Sequence, residues 1–296
     1  MIYAFFAVLY GILMSVQTAF CADLTSAYGN WFSIVTVHLT GFLALTPFFL
    51  TKWGHRSEKS PWYLHLGGVV GVANVFFCNY GIVNIGMTNS NVLMLLGEIL
   101  FSAVLDSLGL MGAKKRRITP MKWCAIAVML FGCSAIAVLS GSTGITLNVL
   151  AIIASLLRGV ALVISRQLNG QLSVRSGTGY STWMNYTTGL AASALVFTLL
   201  GFPMQTAFPA ADVPFWAYLC GVFGCIGIFL CNLSSPRLSA LTMSLLVFVS
   251  ETAAGLVFDL FAGKLSVPTV IGCAIVSAGM VLNLLAERKQ EDALKI

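Results

Sequence analysis

Long apolar runs alternate with short polar segments along the whole chain. A helix needs about 20 mostly apolar residues to cross a bilayer, and division of the sequence at its polar, Gly and Pro clusters gives ten such segments. They cover residues 2–21, 31–50, 62–83, 88–109, 120–139, 147–167, 179–201, 214–233, 238–262 and 268–286. The pattern predicts ten transmembrane helices joined by loops too short to hold a soluble domain.

The composition favours a membrane protein over a soluble one. Hydrophobic residues make up 58% of the chain, charged residues only 9%, and the mean hydropathy is +0.91. A soluble domain carries about a quarter of its residues charged. The net charge of +6 comes from residues between the apolar runs, which argues against a nucleic-acid partner. The prediction is an all-α integral membrane protein whose partner is the lipid bilayer.

The positions of Lys and Arg predict the orientation. With the N-terminus in the cytoplasm, 14 basic residues fall in cytoplasmic segments, Lys264 falls in an external loop, and Arg158 falls inside the sixth segment. This bias follows the positive-inside rule. Both termini are therefore predicted to be cytoplasmic. In this assignment Arg166 belongs to a cytoplasmic segment.

An internal repeat relates the two halves of the chain. Residues 61–110 align without gaps on 214–263, an offset of 153, and the first two predicted helices repeat at an offset of 148. The repeat divides the chain into residues 1–140 and residues 141–296, the second with a short cytoplasmic tail. Because each half contains five helices, an odd number, the second half would enter the membrane from the opposite side. This is the pattern of an inverted repeat, which is typical of secondary transporters.

The repeat superimposes Glu98 on Glu251 and Asp106 on Asp259. Both glutamates fall near the middle of their segments, about 15 Å deep for Glu98 at 1.5 Å per residue. A carboxylate that faces lipid there would be costly, so both are predicted to bind substrate or protons in an internal cavity. The alternative is that each cross-links two helices. The two aspartates lie near helix ends, where a structural role is favoured.

Arg158 lies at the same predicted depth as Glu98, and its repeat counterpart is Tyr10. Two interpretations compete. Arg158 either neutralises Glu98 or Glu251, which we favour, or binds an anionic substrate directly. The first predicts a buried ion pair inside the bundle.

Three further repeat-related pairs are candidate site residues: Asn79 with Asn232, Trp31 with Trp183, and His38 with Tyr186. The two asparagines fit packing between helices and substrate contact equally well. The tryptophans fit an interfacial aromatic belt better than a cation-binding ring. The histidine could relay protons, although a buried His that only bonds the backbone is more common.

The chain contains no nucleotide-binding loop, no Ser/His/Asp arrangement and no metal-ligand spacing. We therefore expect no cofactor and no metal, and a transporter driven by a gradient rather than an enzyme. An intramembrane enzyme and an accessory membrane protein are the alternatives from other classes. An intramembrane enzyme would be expected to have a large polar loop or a one-sided catalytic cluster, and the sequence shows neither. An accessory protein would not require repeat-related carboxylates near mid-bilayer.

The stretches "PWYLHLGGVVGV" (61–72), "EILFSAVLDSLGL" (98–110) and "NGQLSVRSGTGYSTWMNYTTG" (169–189) resemble the drug/metabolite transporter superfamily, and within it the YdcZ-type family as a tandem-fused member. The resemblance implies a bacterial inner (plasma) membrane exporter that works by alternating access as a monomer or homodimer. The chain departs from the family pattern where it has Glu98 and Glu251 in place of Gln, and Cys21 in place of Asn. Acids in place of amides favour a small cationic or amphipathic metabolite or drug, and proton coupling.

Overall fold

The computed structural model describes residues 1–49, 59–85, 87–112, 119–139, 148–204, 208, 213–261 and 267–293. These residues form ten α-helices: α1 (Ile2–Tyr28), α2 (Asn30–Phe49), α3 (Gly67–Ile85), α4 (Met87–Leu108), α5 (Pro120–Leu139), α6 (Val149–Ser176), α7 (Thr178–Leu199), α8 (Cys220–Ser234), α9 (Ala240–Phe261) and α10 (Val267–Ala293). Short 3₁₀ turns precede α3 and α8, at Trp62–Leu66 and Phe215–Leu219.

Each of the ten predicted segments overlaps one of these helices, but α1, α6 and α10 extend well beyond their predicted ends. α1 and α6 run on to Gly29 and Gly177, whose φ angles of 91° and 93° end the helices. Glycine adopts such angles without steric cost. Arg166, which was assigned to a cytoplasmic segment, lies well inside α6 and is 5% exposed, so it is a buried residue of the bundle.

The outer surface of the bundle is apolar, whereas many polar groups are buried. Large side chains such as Phe5, Phe48 and Phe131 are exposed, while Glu98 is 1% exposed. Among the residues that the structure describes, four segments are long and apolar enough to cross a membrane by length and composition: Ile2–Tyr28, Asn30–Phe48, Val149–Ser176 and Phe215–Arg237. An apolar exterior around buried polar groups is the arrangement that a bilayer requires.

Helices related by the sequence repeat make equivalent contacts. α1 packs against α8 and α9, and α6, its repeat counterpart, packs against α3 and α4. α2 packs against α7, α4 against α9, and α5 against α10, so these counterparts contact one another. The helices that carry the two glutamates therefore meet at the interface between the two halves of the sequence.

Two repeat-related glycines allow α6 to approach α4 closely and α1 to approach α9 closely. A Cβ on Gly159 of α6 would lie 2.1 Å from the carbonyl oxygen of Met94 and 2.5 Å from the amide nitrogen of Glu98. A Cβ on Gly11 of α1 would lie 2.6 Å from the carbonyl oxygen of Val247 and 3.1 Å from the amide nitrogen of Glu251. Small residues let membrane helices approach this closely. Repeat-related glycines thus hold the glutamate-bearing helices in place.

Asp106 has a structural role in the bundle. Its Oδ1 accepts a 3.1 Å hydrogen bond from the amide nitrogen of Ala240, the first residue of α9, and its side chain is buried. A carboxylate at a helix N-terminus satisfies a free N–H group and interacts favourably with the helix dipole. The side chain of Asp259 lies outside the described residues.

Candidate functional site

A cavity of about 80 Å³ lies in the bundle between α1, α2, α3, α6, α7 and α8. This volume is enough for several water molecules. Apolar side chains of Met14, Val37, Val75, Leu162 and Ile228 form part of the wall. The side chains of the wall that carry polar atoms are those of Tyr10, Gln17, His38, Asn74, Ser165, Arg166, Asn169, Asn185, Tyr186, Cys231 and Asn232. Both halves of the sequence contribute to it.

Arg166 is the one arginine among the residues described around this cavity, and it is held by a buried ion pair. Its Nη2 donates to Glu98 Oε1 at 2.7 Å, and its Nη1 donates to Ser244 Oγ at 3.1 Å. Ser244 Oγ also lies 3.0 Å from Ser102 Oγ. These contacts join α6, α4 and α9. Buried charges are tolerated when they are paired and hydrogen-bonded in this way.

The predicted pairing of Arg158 with a glutamate is wrong for Glu98, whose partner is Arg166. Arg158 Nη1 donates instead to Asn91 Oδ1 at 2.7 Å, and no ion pair to Arg158 occurs in the described part of the bundle. Arg158 also does not belong to the cavity wall. The error arose because the polar stretch that begins at Ser165 indicated the end of the sixth segment, whereas α6 continues through this stretch to Ser176 and buries Arg166.

Glu251 differs from its repeat counterpart Glu98. Its carboxylate makes no hydrogen bond or ion pair to any described residue, and it does not line the cavity. The repeat counterpart of Arg166 is Thr18, so α1 cannot supply Glu251 with an arginine. The two glutamates therefore have different electrostatic surroundings.

Asn232 lies in the cavity wall with its amide group in a fixed orientation. Its Nδ2 donates to Thr182 Oγ1 at 3.0 Å and to Ser181 Oγ at 3.5 Å. Each hydroxyl has one proton, and both are already used, by the carbonyl oxygens of Thr178 and Asn169. The hydroxyls can only accept from Asn232, so its amide cannot be flipped. Its Oδ1 is buried and has no hydrogen-bond partner in the described structure.

His38 and Tyr186, which the repeat relates, also line the cavity, with ring centroids 5.9 Å apart. His38 Nδ1 is 2.8 Å from the carbonyl oxygen of Ile34. Because a carbonyl can only accept, Nδ1 carries a proton. The hydroxyl of Tyr186 is buried and has no hydrogen-bond partner among the described groups.

Three other predicted residues lie outside the cavity wall. Asn79 Nδ2 donates to Asn30 Oδ1, and Trp31 packs on Phe76 with centroids 5.5 Å apart. Trp183 packs on Phe42 at 5.8 Å. These contacts join neighbouring helices, as the packing interpretation predicts for the asparagine.

The cavity wall also contains amide residues that the sequence did not single out as site residues: Gln17, Asn74, Asn169 and Asn185. Asn169 Nδ2 donates to Asn185 Oδ1 at 2.7 Å, across α6 and α7. Asn74 Oδ1 and Gln17 Oε1 are buried, and neither has a hydrogen-bond partner in the described regions. The available signal was an isolated amide in an apolar run, which indicates either packing or a site. No group of three or more possible metal ligands occurs among the residues that the structure describes.

Comparison with known proteins identifies the family. No curated protein matches the sequence. One crystal structure of a protein superimposes with a TM-score of 0.74 over 96% of both chains, at 16% sequence identity, which shows a shared fold alone. The family model described as "Putative inner membrane exporter, YdcZ" matches residues 2–135 and, again, residues 150–282. These two tandem matches cover most of the sequence, and the chain therefore belongs to the YdcZ family.

Proposed function

We propose that this protein is a secondary active transporter that exports a small amphipathic or cationic metabolite or drug by alternating access. The observation that carries the proposal is the polar cavity, which both halves of the sequence line and whose wall contains the buried Arg166. A cavity of this kind between two repeats is where secondary transporters bind their substrates. The family match, to inner-membrane exporters, agrees with it.

The equivalent helix contacts support alternating access between two inverted five-helix halves. α1 contacts α8 and α9 as α6 contacts α3 and α4. If the halves are inverted in the membrane, exchange of their conformations would open the cavity to the opposite side. Such an exchange needs two packed arrangements of similar energy, which a pair of similar halves supplies.

Proton coupling, in this proposal, uses Glu251. Glu98 forms an ion pair with Arg166 at 2.7 Å. Glu251 lacks such a partner within the described residues and can gain and lose a proton more easily. We infer that Glu251 is the proton-exchanging group and that Glu98 supports the cavity wall.

The experiment is an untargeted flux assay. Proteoliposomes are loaded with a defined mixture of polar amides, amines and carboxylic acids, and the loss of each compound is followed by mass spectrometry with and without a pH gradient. Protein-free liposomes are the control. We expect gradient-dependent loss of a small subset of compounds. Equal losses from both liposome preparations would overturn the transport proposal.

A further inference from the structure

The unpartnered polar atoms of the cavity wall are mostly hydrogen-bond acceptors. Five residues of this wall carry a buried nitrogen or oxygen atom with no hydrogen-bond partner in the described part of the chain: Gln17, Asn74, Arg166, Tyr186 and Asn232. Unpaired buried polar groups are costly. Five such groups around one small cavity indicate a ligand that supplies their partners.

Asn232 and Arg166 define the two ends of the required ligand. Asn232 Oδ1 must be an acceptor, because its Nδ2 is committed to the hydroxyls of Ser181 and Thr182. Arg166 Nε carries an N–H, which must be a donor, while its Nη1 and Nη2 are bonded to Ser244 and Glu98. A ligand that satisfies both presents an N–H or O–H donor together with a carbonyl acceptor.

Because the described cavity wall carries no unpaired charge, it does not favour a charged ligand over a neutral one. The Arg166 guanidinium is neutralised by Glu98, so an anion would meet no free positive charge. Neither Glu251 nor any other described carboxylate lines the cavity, so a cation would meet no free negative charge. A buried charge without a partner is strongly disfavoured. The cavity therefore fits an uncharged ligand.

We propose that the cavity binds an uncharged amide or urea-type group, with its N–H on Asn232 Oδ1 and its carbonyl oxygen on Arg166 Nε. The apolar part of the ligand would contact Met14, Val75 and Ile228, which lie in the same wall. This inference rests on the proposed function in taking the cavity as the substrate site. It keeps the amphipathic part of the proposed substrate class, narrows it to neutral molecules with an amide or urea-type group, and excludes the cationic part.

Acetamide, acetamidinium and acetate test the proposal, because they share one shape and differ in charge. Binding of each to the purified, detergent-solubilised protein is measured by ligand-observed NMR and by thermal shift. We expect acetamide to bind roughly tenfold or more tightly than either ion, since each ion would be buried without a counter-charge. Preference for acetamidinium or acetate, or equal binding of all three, would overturn the proposal.

Two substitutions at Asn232 identify the site. Asn232→Asp keeps the side-chain shape and places a carboxylate in the cavity wall. It should reverse the preference toward acetamidinium by roughly tenfold or more. Asn232→Leu should abolish acetamide binding, whereas Asn79→Leu, the repeat-matched control outside the cavity wall, should retain it. An unchanged preference in Asn232→Asp would contradict the assignment even if Asn232→Leu fails to fold.

The two proposals fail in different ways. Specific acetamide binding without gradient-dependent flux of any compound would support the amide site and contradict the transport proposal. Flux of amines or acids, with no acetamide binding, would support the transport proposal and contradict the amide site.

Discussion

The guanidinium of Arg166 and the carboxylate of Glu98 form an ion pair between α6 and α4, with 2.7 Å between Nη2 and Oε1. Their side chains are 3% and 2% exposed. Removal of one partner from such a pair leaves an uncompensated buried charge, whereas removal of both does not. This asymmetry can be measured.

Glu98→Gln and Arg166→Met should each lower the free energy of unfolding, by about 3–5 kcal/mol. The double variant should lose clearly less than the sum of the two, because neither charge remains. The measurement is a double-mutant cycle on denaturant unfolding in detergent micelles. Glu98→Gln combined with Arg158→Met is the matched control and should be additive, since Arg158 bonds to Asn91. Additivity in the Arg166 cycle would contradict the pairing.

Glu251→Gln should keep the fold and abolish the effect of a pH gradient on export. The amide cannot exchange a proton, and in the described structure no ion pair depends on the carboxylate. Stability is followed by thermal unfolding, and flux by the proteoliposome assay. Gradient-driven flux at the normal rate in this variant would rule out Glu251 as the coupling group and leave export itself intact.

Gly11→Ala and Gly159→Ala should both destabilise the bundle, by roughly 1–3 kcal/mol. The added methyl group would lie 2.0 Å from Ser250 Oγ in the first variant and 2.1 Å from the Met94 carbonyl oxygen in the second. Gly255→Ala is the control, because its methyl group would meet no atom within 4 Å. It should be neutral or stabilising by about 0.5–1 kcal/mol, since Ala favours helix more than Gly. If all three variants unfold alike, the close approach of these helices is not important for stability.

Lys115→Cys and Gln205→Cys test the predicted topology. The positive-inside rule puts position 115 in the cytoplasm and the ten-segment count puts position 205 outside. In intact cells a membrane-impermeant maleimide should label Gln205→Cys only, and Lys115→Cys should react after permeabilisation. The parent protein, with its eight cysteines, gives the background. Labelling of both positions from the same side would exclude the inverted ten-helix arrangement.

The partner of each ionisable residue was the least predictable feature of the site. The sequence indicated that Glu98 needs a cation within the bundle, but it favoured Arg158, and the partner is Arg166. The two arginines lie two turns apart on α6, and only the register of α6 against α4 determines which one reaches the carboxylate. That register is set where Gly159 contacts the backbone of Glu98, a contact between residues far apart in the sequence.

Asn232 shows the same limit of prediction from the sequence. The repeat singled it out together with Asn79, and the sequence left packing and substrate contact equally open. In the structure the Asn232 amino group bonds to α7 while its oxygen remains unpartnered in the cavity wall, and Asn79 bonds to Asn30 outside this wall. Equivalent positions in the repeat therefore have different surroundings.

The sequence by itself determined the helical segments, the membrane environment and the repeat, because these depend on local hydrophobicity and on residue identities along the chain. Only the tertiary structure decided which polar side chains share a cavity and which ion pairs form. The reason is physical: an apolar environment requires each buried polar group to find a partner, and the choice among partners depends on helix lengths, rotations and contacts that no single segment encodes.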